Sequence, residues 1–195
     1  MKFISHRSDT PRYDDAEALR LVHAIRAGDD GQFSCLYAMT RPRVEAYLCR
    51  LLRDQSDVDD ILIDTYVEVW RGAKHFRGES LVITWIVGIA RNIAMNTLKR
   101  RRQCESLDAI PEPIAPAANA DEQRSRRRLV EKALAAIPRH HREILVLALL
   151  QETSYEQLSR LLAAPVNTIK TRVFYAKGIL RAQLETMGVT RDDVI

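Results

Sequence analysis

The stretch from residue 153 to residue 184 limits the fold of this chain more than any other part of it. It reads TSYEQLSRLLAAPVNTIKTRVFYAKGILRAQL, a pattern that predicts two short helices around a tight turn. Ser154 and Gln157 have the spacing of a capping box, which satisfies free amides at a helix start. Pro165 ends the first helix because proline disfavours helical geometry in the residue before it. The stretch therefore predicts a helix-turn-helix, a motif that binds duplex DNA.

The second helix of this motif has an apolar face and a basic, hydrogen-bonding face. Asn167 or Thr168 is expected to cap its start. Its inward stripe follows helical spacing: Ile169, Val173, Ala176, Leu180 and Leu184. The residues left on other faces are Lys170, Thr171, Phe174, Tyr175 and Lys177. Such side chains can contact base edges and phosphates in a major groove. The alternative is a helical hairpin with a solvated charged face.

The composition indicates an all-α fold. The 195 residues are 46% hydrophobic and 29% charged, with only seven glycines, so the chain can bury a core and shows no long alternating strand pattern. The net charge is only +4, but basic residues cluster, as in the run KRRR at residues 99–102. A clustered positive charge binds polyanions better than a diffuse excess does.

The sequence shows no pattern typical of a metal site, a cofactor site or a catalytic site. The three cysteines lack metal-ligand spacing, and their odd number argues against a disulfide framework. His140 and His141 stand at a helix start without further ligands at metal spacing. No nucleophile and base pair is evident, so we expect no enzyme, no cofactor and no metal. No apolar run approaches ~20 residues, and we expect a cytoplasmic protein without membrane insertion.

The chain divides into two helical domains on a flexible tether. We expect a loose tail over residues 1–13, a first domain over 14–103, a proline-bearing linker over 104–122, a second domain over 123–188 and a tail over 189–195. Within the first domain, Gly28 separates two helices and Pro42 breaks or kinks the second. Asp57 is expected to cap a third helix that ends near Arg71.

Two segments together resemble a known family. One reads DVDDILIDTYVEVWRGAKHFRGESLVITWIVGIARNIAMNTLKRRRQ and contains the pattern W-I-x-x-I-A-R-N, here Trp85 to Asn92. The other runs from Leu129 through the helix-turn-helix. In this order, with a linker between them, they resemble regions 2 and 4 of bacterial RNA polymerase sigma factors of the extracytoplasmic-function (ECF) type, in the sigma-70 family. Two motifs in the right order are more specific than either alone.

The resemblance implies a fold, a function and partners. Such proteins are not enzymes, and consist of two small helical domains on a tether. They bind core RNA polymerase through the clamp of the largest subunit and the flap, and they direct it to promoter DNA. Region 4 reads the upstream promoter element, and region 2 captures bases of the melted downstream element. An anti-sigma factor is an expected further partner.

Residue by residue, the resemblance also implies binding sites in the first domain. Asp60, Asp64 and Glu68 form an acidic stripe expected to dock on the polymerase clamp. The melted element is expected to contact side chains of the loop and of the long helix after it: Lys74, His75, Phe76, Arg77, Arg91, Asn92, Lys99 and Arg100. For Phe76, packing under the loop is an equal alternative. Trp85 is expected in the core.

In the recognition helix, the base-reading positions of the family correspond to Lys170, Thr171, Phe174 and Tyr175. Arg172 and Lys177 are expected to hold phosphates. The sequence departs from the family at Tyr175, where arginine is common, and at Ile63, where glutamine is common. Tyrosine cannot read guanine in the bidentate way of arginine, so the preferred upstream sequence is expected to differ.

Two other functions remain compatible with the sequence. A stand-alone helix-turn-helix regulator would bind its operator tightly without polymerase. A sigma-like decoy would bind an anti-sigma factor and show no activity with core polymerase. Binding of the free protein to DNA and transcription with core polymerase distinguish these alternatives.

Overall fold

A computed structural model of the chain describes residues 13–52, 54–104, 122–150 and 153–189. The regular elements in these ranges are all helical, as the sequence predicts. They fall into two compact units, one before and one after residue 110. The predicted linker lies almost entirely outside the described residues, as do residues 1–12 and 190–195 of the predicted tails.

Four α-helices and one short turn build the N-terminal unit. The helices are α1 (Asp15–Arg26), α2 (Gln32–Leu51), α3 (Gln55–Gly72) and α4 (Val82–Cys104), and a 3₁₀ turn (Ala73–His75) follows α3 directly. Gly28 separates α1 from α2 as predicted, with a φ of +99° that suits glycine. The core is built from apolar side chains of all four helices, including Val22, Leu36, Val58 and Ile86.

Helix α2 runs through Pro42 without a break, so of the predicted break or kink the break does not occur. Proline inside a helix costs about 3 kcal/mol or more through a lost hydrogen bond and a backbone clash. Tertiary contacts on both sides of it offset that cost. Thr40 and Val44 are fully buried, and the Thr40 hydroxyl lies 2.8 Å from the Tyr66 hydroxyl of α3. Tertiary packing therefore keeps α2 continuous although the local propensity of Pro42 disfavours a helix.

The residue that caps α3 is Asp54, and the predicted cap at Asp57 is wrong. The Asp54 carboxylate accepts hydrogen bonds from the Ser56 hydroxyl at 2.8 Å and from the Ser56 amide at 3.0 Å. The hydroxyl first, and then the amide, lower the pKa of Asp54. Asp57 is instead buried and accepts a hydrogen bond from Arg101 near the end of α4. This ion pair joins the start of α3 to the end of α4.

The start of α4 is capped from a distance by the start of α1. The Val82 amide donates to Asp15 Oδ1 at 2.7 Å, and the Ile83 amide donates to the Tyr13 hydroxyl at 2.9 Å. The Tyr13 hydroxyl in turn donates to Asp15. Burial and this hydrogen bond raise the pKa of Tyr13. Tyr13, which the sequence places at the end of a loose tail, is thus part of the folded unit.

The C-terminal unit contains α5 (Glu122–Ala136), α6 (Arg139–Leu145), α7 (Tyr155–Leu161) and α8 (Val166–Thr186). A π-helical segment, Val146–Leu150, continues α6. Helices α5, α6 and α7 all pack against α8. The buried side chains of this unit include Leu134, Leu145, Leu147, Leu158 and Ile169. Helix α8 therefore lies at the centre of the unit and has one face left for solvent.

The predicted helix-turn-helix is present as α7 and α8. The capping box forms: the Gln157 amide donates to Ser154 Oγ at 3.2 Å, and the Ser154 amide donates to Gln157 Oε1 at 3.1 Å. Ala163 takes a positive φ of 47° in the turn. Helix α8 begins directly after Pro165 without a side-chain cap, so the predicted cap at Asn167 or Thr168 is wrong. Pro165 occupies the position before the first helical residue, and its carbonyl accepts a hydrogen bond from the Ile169 amide at 3.0 Å.

Candidate nucleic-acid and polymerase interfaces

The outer face of α8 carries the predicted DNA-contacting residues. The inward stripe is buried at Ile169, Val173, Ala176 and Leu180 and half-buried at Leu184. All six predicted contact residues are exposed: Lys170, Thr171, Arg172, Phe174, Tyr175 and Lys177. At 100° per residue, Lys170, Phe174 and Lys177 form one row beside the buried stripe, about a quarter turn around the helix from it. Arg181, which the sequence analysis did not select, continues this row by the same spacing and is exposed.

Two exposed aromatic rings dominate this surface. Phe174 is 74% exposed and Tyr175 is 62% exposed, and their rings meet edge to face with centroids 5.8 Å apart. Together the two rings form a small exposed apolar area among basic and hydrogen-bonding side chains. The Thr171 hydroxyl donates to the Asn167 carbonyl at 2.9 Å, which orients this side chain on the helix.

A negative charge close to Lys170 of the recognition helix comes from α7. Glu156 stands in the first turn of α7, where hydrogen bonds from its own backbone amide and from Ser154, with a smaller contribution from Lys170, lower its pKa. Glu156 therefore stays ionised at neutral pH. Its influence on Lys170 is that of an exposed charge in water, which salt screens.

The loop between α3 and α4 places three of its predicted residues in solvent and one in the core. Lys74, His75 and Arg77 are exposed. Phe76 is only 7% exposed, and its ring lies 4.7 Å from that of Trp85. This burial favours the packing interpretation of Phe76 over a direct contact with a flipped base. Trp85 was expected in the core and is half-buried, with its ring packed on that of Phe76.

An open cleft of about 250 Å³ lies against this loop. Its lining residues are Arg26, Lys74, His75, Phe76 and Arg77. Arg26 comes from the last turn of α1, which packs on the 3₁₀ turn, and sequence reasoning did not select it. Only its closeness to the loop in the folded chain shows that Arg26 lines the cleft, since an arginine in the last turn of a helix is ordinary in sequence.

The predicted strand-facing residues of α4 differ in their surroundings. Asn92, Lys99 and Arg100 are exposed, and Arg91 is half-buried. Arg101 belongs to the same basic run, but its guanidinium is engaged by Asp57, and the side chain of residue 102 lies outside the described part. Two cations of the run, Lys99 and Arg100, are therefore on the surface at the end of α4 where a phosphate can reach them.

The acidic stripe of α3 is exposed and has an apolar neighbour. Asp60, Asp64 and Glu68 are all on the surface, and Glu68 pairs with Arg71 at 2.8 Å. Beside them Ile63 is 65% exposed, and Val67 and Trp70 are also exposed. Of these three, only Ile63 was singled out from the sequence, although the spacing of residues 63, 67 and 70 is that of one helix face. Apolar side chains beside charged ones are typical of a protein-protein interface.

His140 and His141, considered as metal ligands from the sequence, lie side by side at the start of α6. His140 and His141 have ring centroids 3.9 Å apart, and partial burial together with the neighbouring His140 lowers the pKa of His141. Within the described ranges, no cluster of three or more potential metal ligands occurs. No helix in the same ranges is long and apolar enough to cross a membrane.

Comparison with known proteins places both units in one family. The model of sigma-70 region 2 matches residues 36–104, and the model of sigma-70 region 4 matches residues 127–180. The ECF RNA polymerase sigma-E factor of Escherichia coli K12 is 27% identical over 170 residues, covering 80% of this chain and 88% of that protein. Its counterpart from Haemophilus influenzae is 24% identical over 180 residues, covering 86% and 95%.

Two solved structures share the fold. The sigma factor RpoE from Bartonella quintana, crystallised with the anti-sigma factor NepR, superimposes with a TM-score of 0.65 at 23% identity, covering 78% of this chain and 96% of that one. CnrH, in complex with the cytosolic domain of CnrY, gives a TM-score of 0.66 at 20% identity, covering 89% and 99%. Because the models of regions 2 and 4 match and together cover more than half of it, the chain belongs to the sigma-70 family, as an ECF sigma factor, a non-enzymatic subunit that acts in transcription initiation.

Proposed function

We propose that this chain directs core RNA polymerase to promoters by reading an upstream element with α8 and holding a melted downstream element with its N-terminal unit. The observation that carries the proposal is the outer surface of α8, where basic and aromatic side chains are exposed on the faces left free by the buried stripe. A helix of this kind, presented by a capped partner helix and a tight turn, fits a major groove.

The contacts in the upstream element divide by chemistry. Lys170 can donate to guanine O6 and N7, and Thr171 to either purine or pyrimidine edges. Phe174 offers an apolar surface, which suits the methyl group of thymine. Arg172 and Lys177 bind phosphates. At Tyr175 the single hydroxyl replaces the fork of an arginine, so the preferred sequence shifts away from a guanine at that position.

The downstream element is held by the loop after α3 and by α4. Lys74, His75 and Arg77 provide cations and hydrogen-bond donors on the surface of the loop. Asn92 offers an amide that can recognise a base edge, and Lys99 and Arg100 bind phosphates without sequence preference. Phe76 supports the loop from beneath through its contact with Trp85.

The polymerase is bound through α3. Asp60, Asp64 and Glu68 provide charge complementarity to a basic partner surface, which favours fast association. Ile63 and Trp70 provide apolar area that becomes buried in the complex. An anti-sigma factor is a further partner in this proposal, supported by the complex of the similar RpoE with NepR.

The test compares the free chain with its complex with core polymerase on one promoter duplex. The duplex is selected from random DNA by the complex, and binding is followed by gel shift. We expect retardation only when core polymerase is present. Equally tight binding by the free chain would identify a stand-alone regulator instead.

Charge reversal on α3 tests the polymerase interface in the same assay. Asp60→Lys with Asp64→Lys should weaken core binding at least tenfold, because like charges across an interface cost several kcal/mol. The double reversal of Asp29 and Asp30, exposed in the turn after α1, changes the net charge equally and serves as the control. Unaltered core affinity of the α3 variant would remove this assignment.

A further inference from the structure

The cleft beside the loop after α3 is strongly basic. Its lining residues include three cations, Arg26, Lys74 and Arg77, and the imidazole of His75. One acidic side chain near them is Glu79, which lies 4.0 Å from Arg77, with both side chains well exposed. An exposed pair at this distance neutralises little charge. The cleft therefore retains an excess of positive charge.

The cleft is built by two different elements with a buried floor. Arg26 ends α1, and the other cations belong to the turn and loop that follow α3. Phe76 lies between these cations in sequence and packs on Trp85, so its ring fixes the backbone from which Lys74, His75 and Arg77 project. The packing of α1 on the 3₁₀ turn holds Arg26 against the same loop. Converging cations on a fixed base suit an anion better than mobile surface lysines do.

The volume of the cleft suits a small ligand or a single chemical group of a larger one. At about 250 Å³ the cleft is smaller than the usual pocket for a drug-sized molecule. A phosphodiester group, with the sugar next to it projecting through the open side, matches both the size and the charge. Arginine is suited to this role because its planar fork donates two parallel hydrogen bonds to phosphate oxygens.

We propose that Arg26 binds a backbone phosphate of the melted DNA strand, and so completes the single-strand site that the loop begins. This inference rests on the proposed function, because the strand reaches the loop only in the open promoter. It adds a residue of α1 to a site otherwise formed by the loop and α4. Binding through phosphate predicts a contribution that is independent of the base sequence.

The test uses the chain assembled with core polymerase and a labelled promoter whose downstream element is kept open by mismatches. Arg26→Ala should lower the affinity for this DNA about fivefold at ~0.1 M salt and reduce the slope of log affinity against log salt by about 0.7, the value for one single-strand phosphate. Arg26→Lys should restore most of the affinity. Arg20→Ala, which removes an exposed cation elsewhere on α1, should change neither quantity.

Other outcomes are separable. If the wild-type complex binds the open promoter and Arg26→Ala leaves both affinity and salt slope unchanged, the inference is wrong and the proposed function stands. If the wild-type complex shows no preference for promoter DNA, the proposed function itself fails. Titration of the free chain with inorganic pyrophosphate tests the other source of phosphate. Binding that requires Arg26, with unchanged affinity for open DNA, would assign the cleft to a free anion and overturn the proposal.

Discussion

Asp15 links the first helix of the chain to the start of α4, and its removal is the sharpest test of how the N-terminal unit is held together. Its carboxylate accepts a hydrogen bond from the Val82 amide at 2.7 Å and another from the Tyr13 hydroxyl. Val82 is fully buried, so water cannot easily replace the lost acceptor. In the variant Asp15→Ala, the Val82 amide at the start of α4 loses its acceptor. Leu81, the residue before α4, has no polar side chain that could accept this hydrogen bond instead.

The expected loss of stability follows from these contacts. Replacing a helix cap by alanine costs about 0.5–2 kcal/mol, and a buried donor left without a partner costs about 1–3 kcal/mol. The cost of losing the cap and the cost of the unpaired donor both include the lost hydrogen bond of the Val82 amide, so the two figures are not added together. With the lost contact to Tyr13 included, we expect the free energy of unfolding of the N-terminal unit to fall by about 2–3 kcal/mol.

Tryptophan fluorescence during urea unfolding measures this loss in the full chain. Both tryptophans, Trp70 and Trp85, belong to the N-terminal unit, so their signal reports on that unit and avoids the ambiguity of a two-domain transition. The matched control is Glu17→Ala, which removes another acidic residue from the first turn of α1 but only a surface ion pair with Arg20. The control should lose at most about 1 kcal/mol. If Asp15→Ala loses no more than Glu17→Ala, the capping of α4 by α1 does not contribute to stability.

Two further substitutions separate base reading from folding. Lys170→Ala should lower promoter activity by about 1–3 kcal/mol in a way that depends on the upstream sequence, measured by transcription from a set of altered promoters; a uniform loss would mean that Lys170 contacts only phosphate. Arg101→Ala should destabilise the N-terminal unit by about 1–2 kcal/mol, a figure reduced for the exposure of its guanidinium, because Asp57 stays buried without its partner. Arg100→Ala should leave the urea midpoint unchanged, and equal midpoints for both variants would contradict the structural role of Arg101.

The helices of this chain could be predicted because their signals are local. The capping box of Ser154 and Gln157 and the stripe beginning at Ile169 lie within one or two turns of one another, and both are found in the structure. The acidic stripe of α3 was visible for the same reason. A 3.6-residue period is the same before and after folding, so a helix face can be read from the sequence.

The features that were missed depend on contacts distant in sequence or on small shifts at helix ends. The bonds from Val82 and Ile83 to the start of α1 span 67 and 70 residues, and no local pattern indicates them. The cap of α3 was placed on Asp57 instead of Asp54 because two aspartates three residues apart give the same signal. Pro42 was expected to break or kink α2, and the helix is not broken there because buried neighbours overrode the local propensity.

The predicted contact residues show the same contrast between local signals and contacts distant in sequence. Exposed residues of α8 were predicted as a set, because they are what remains when the buried stripe is removed. Arg26 was not, because it joins Lys74 and Arg77 only through the packing of α1 on the turn after α3. Phe76 was ambiguous in sequence, since an aromatic residue in a basic loop suits stacking on a base as well as packing on Trp85.

Transcription in vitro tests the central proposal most directly. Purified core polymerase is combined with this chain and with a template carrying a promoter selected by the complex, and the transcript is mapped at its 5′ end. We expect one start site that requires the chain, the upstream element and the downstream element together. A core polymerase that gives the same transcripts with and without the chain would contradict the account.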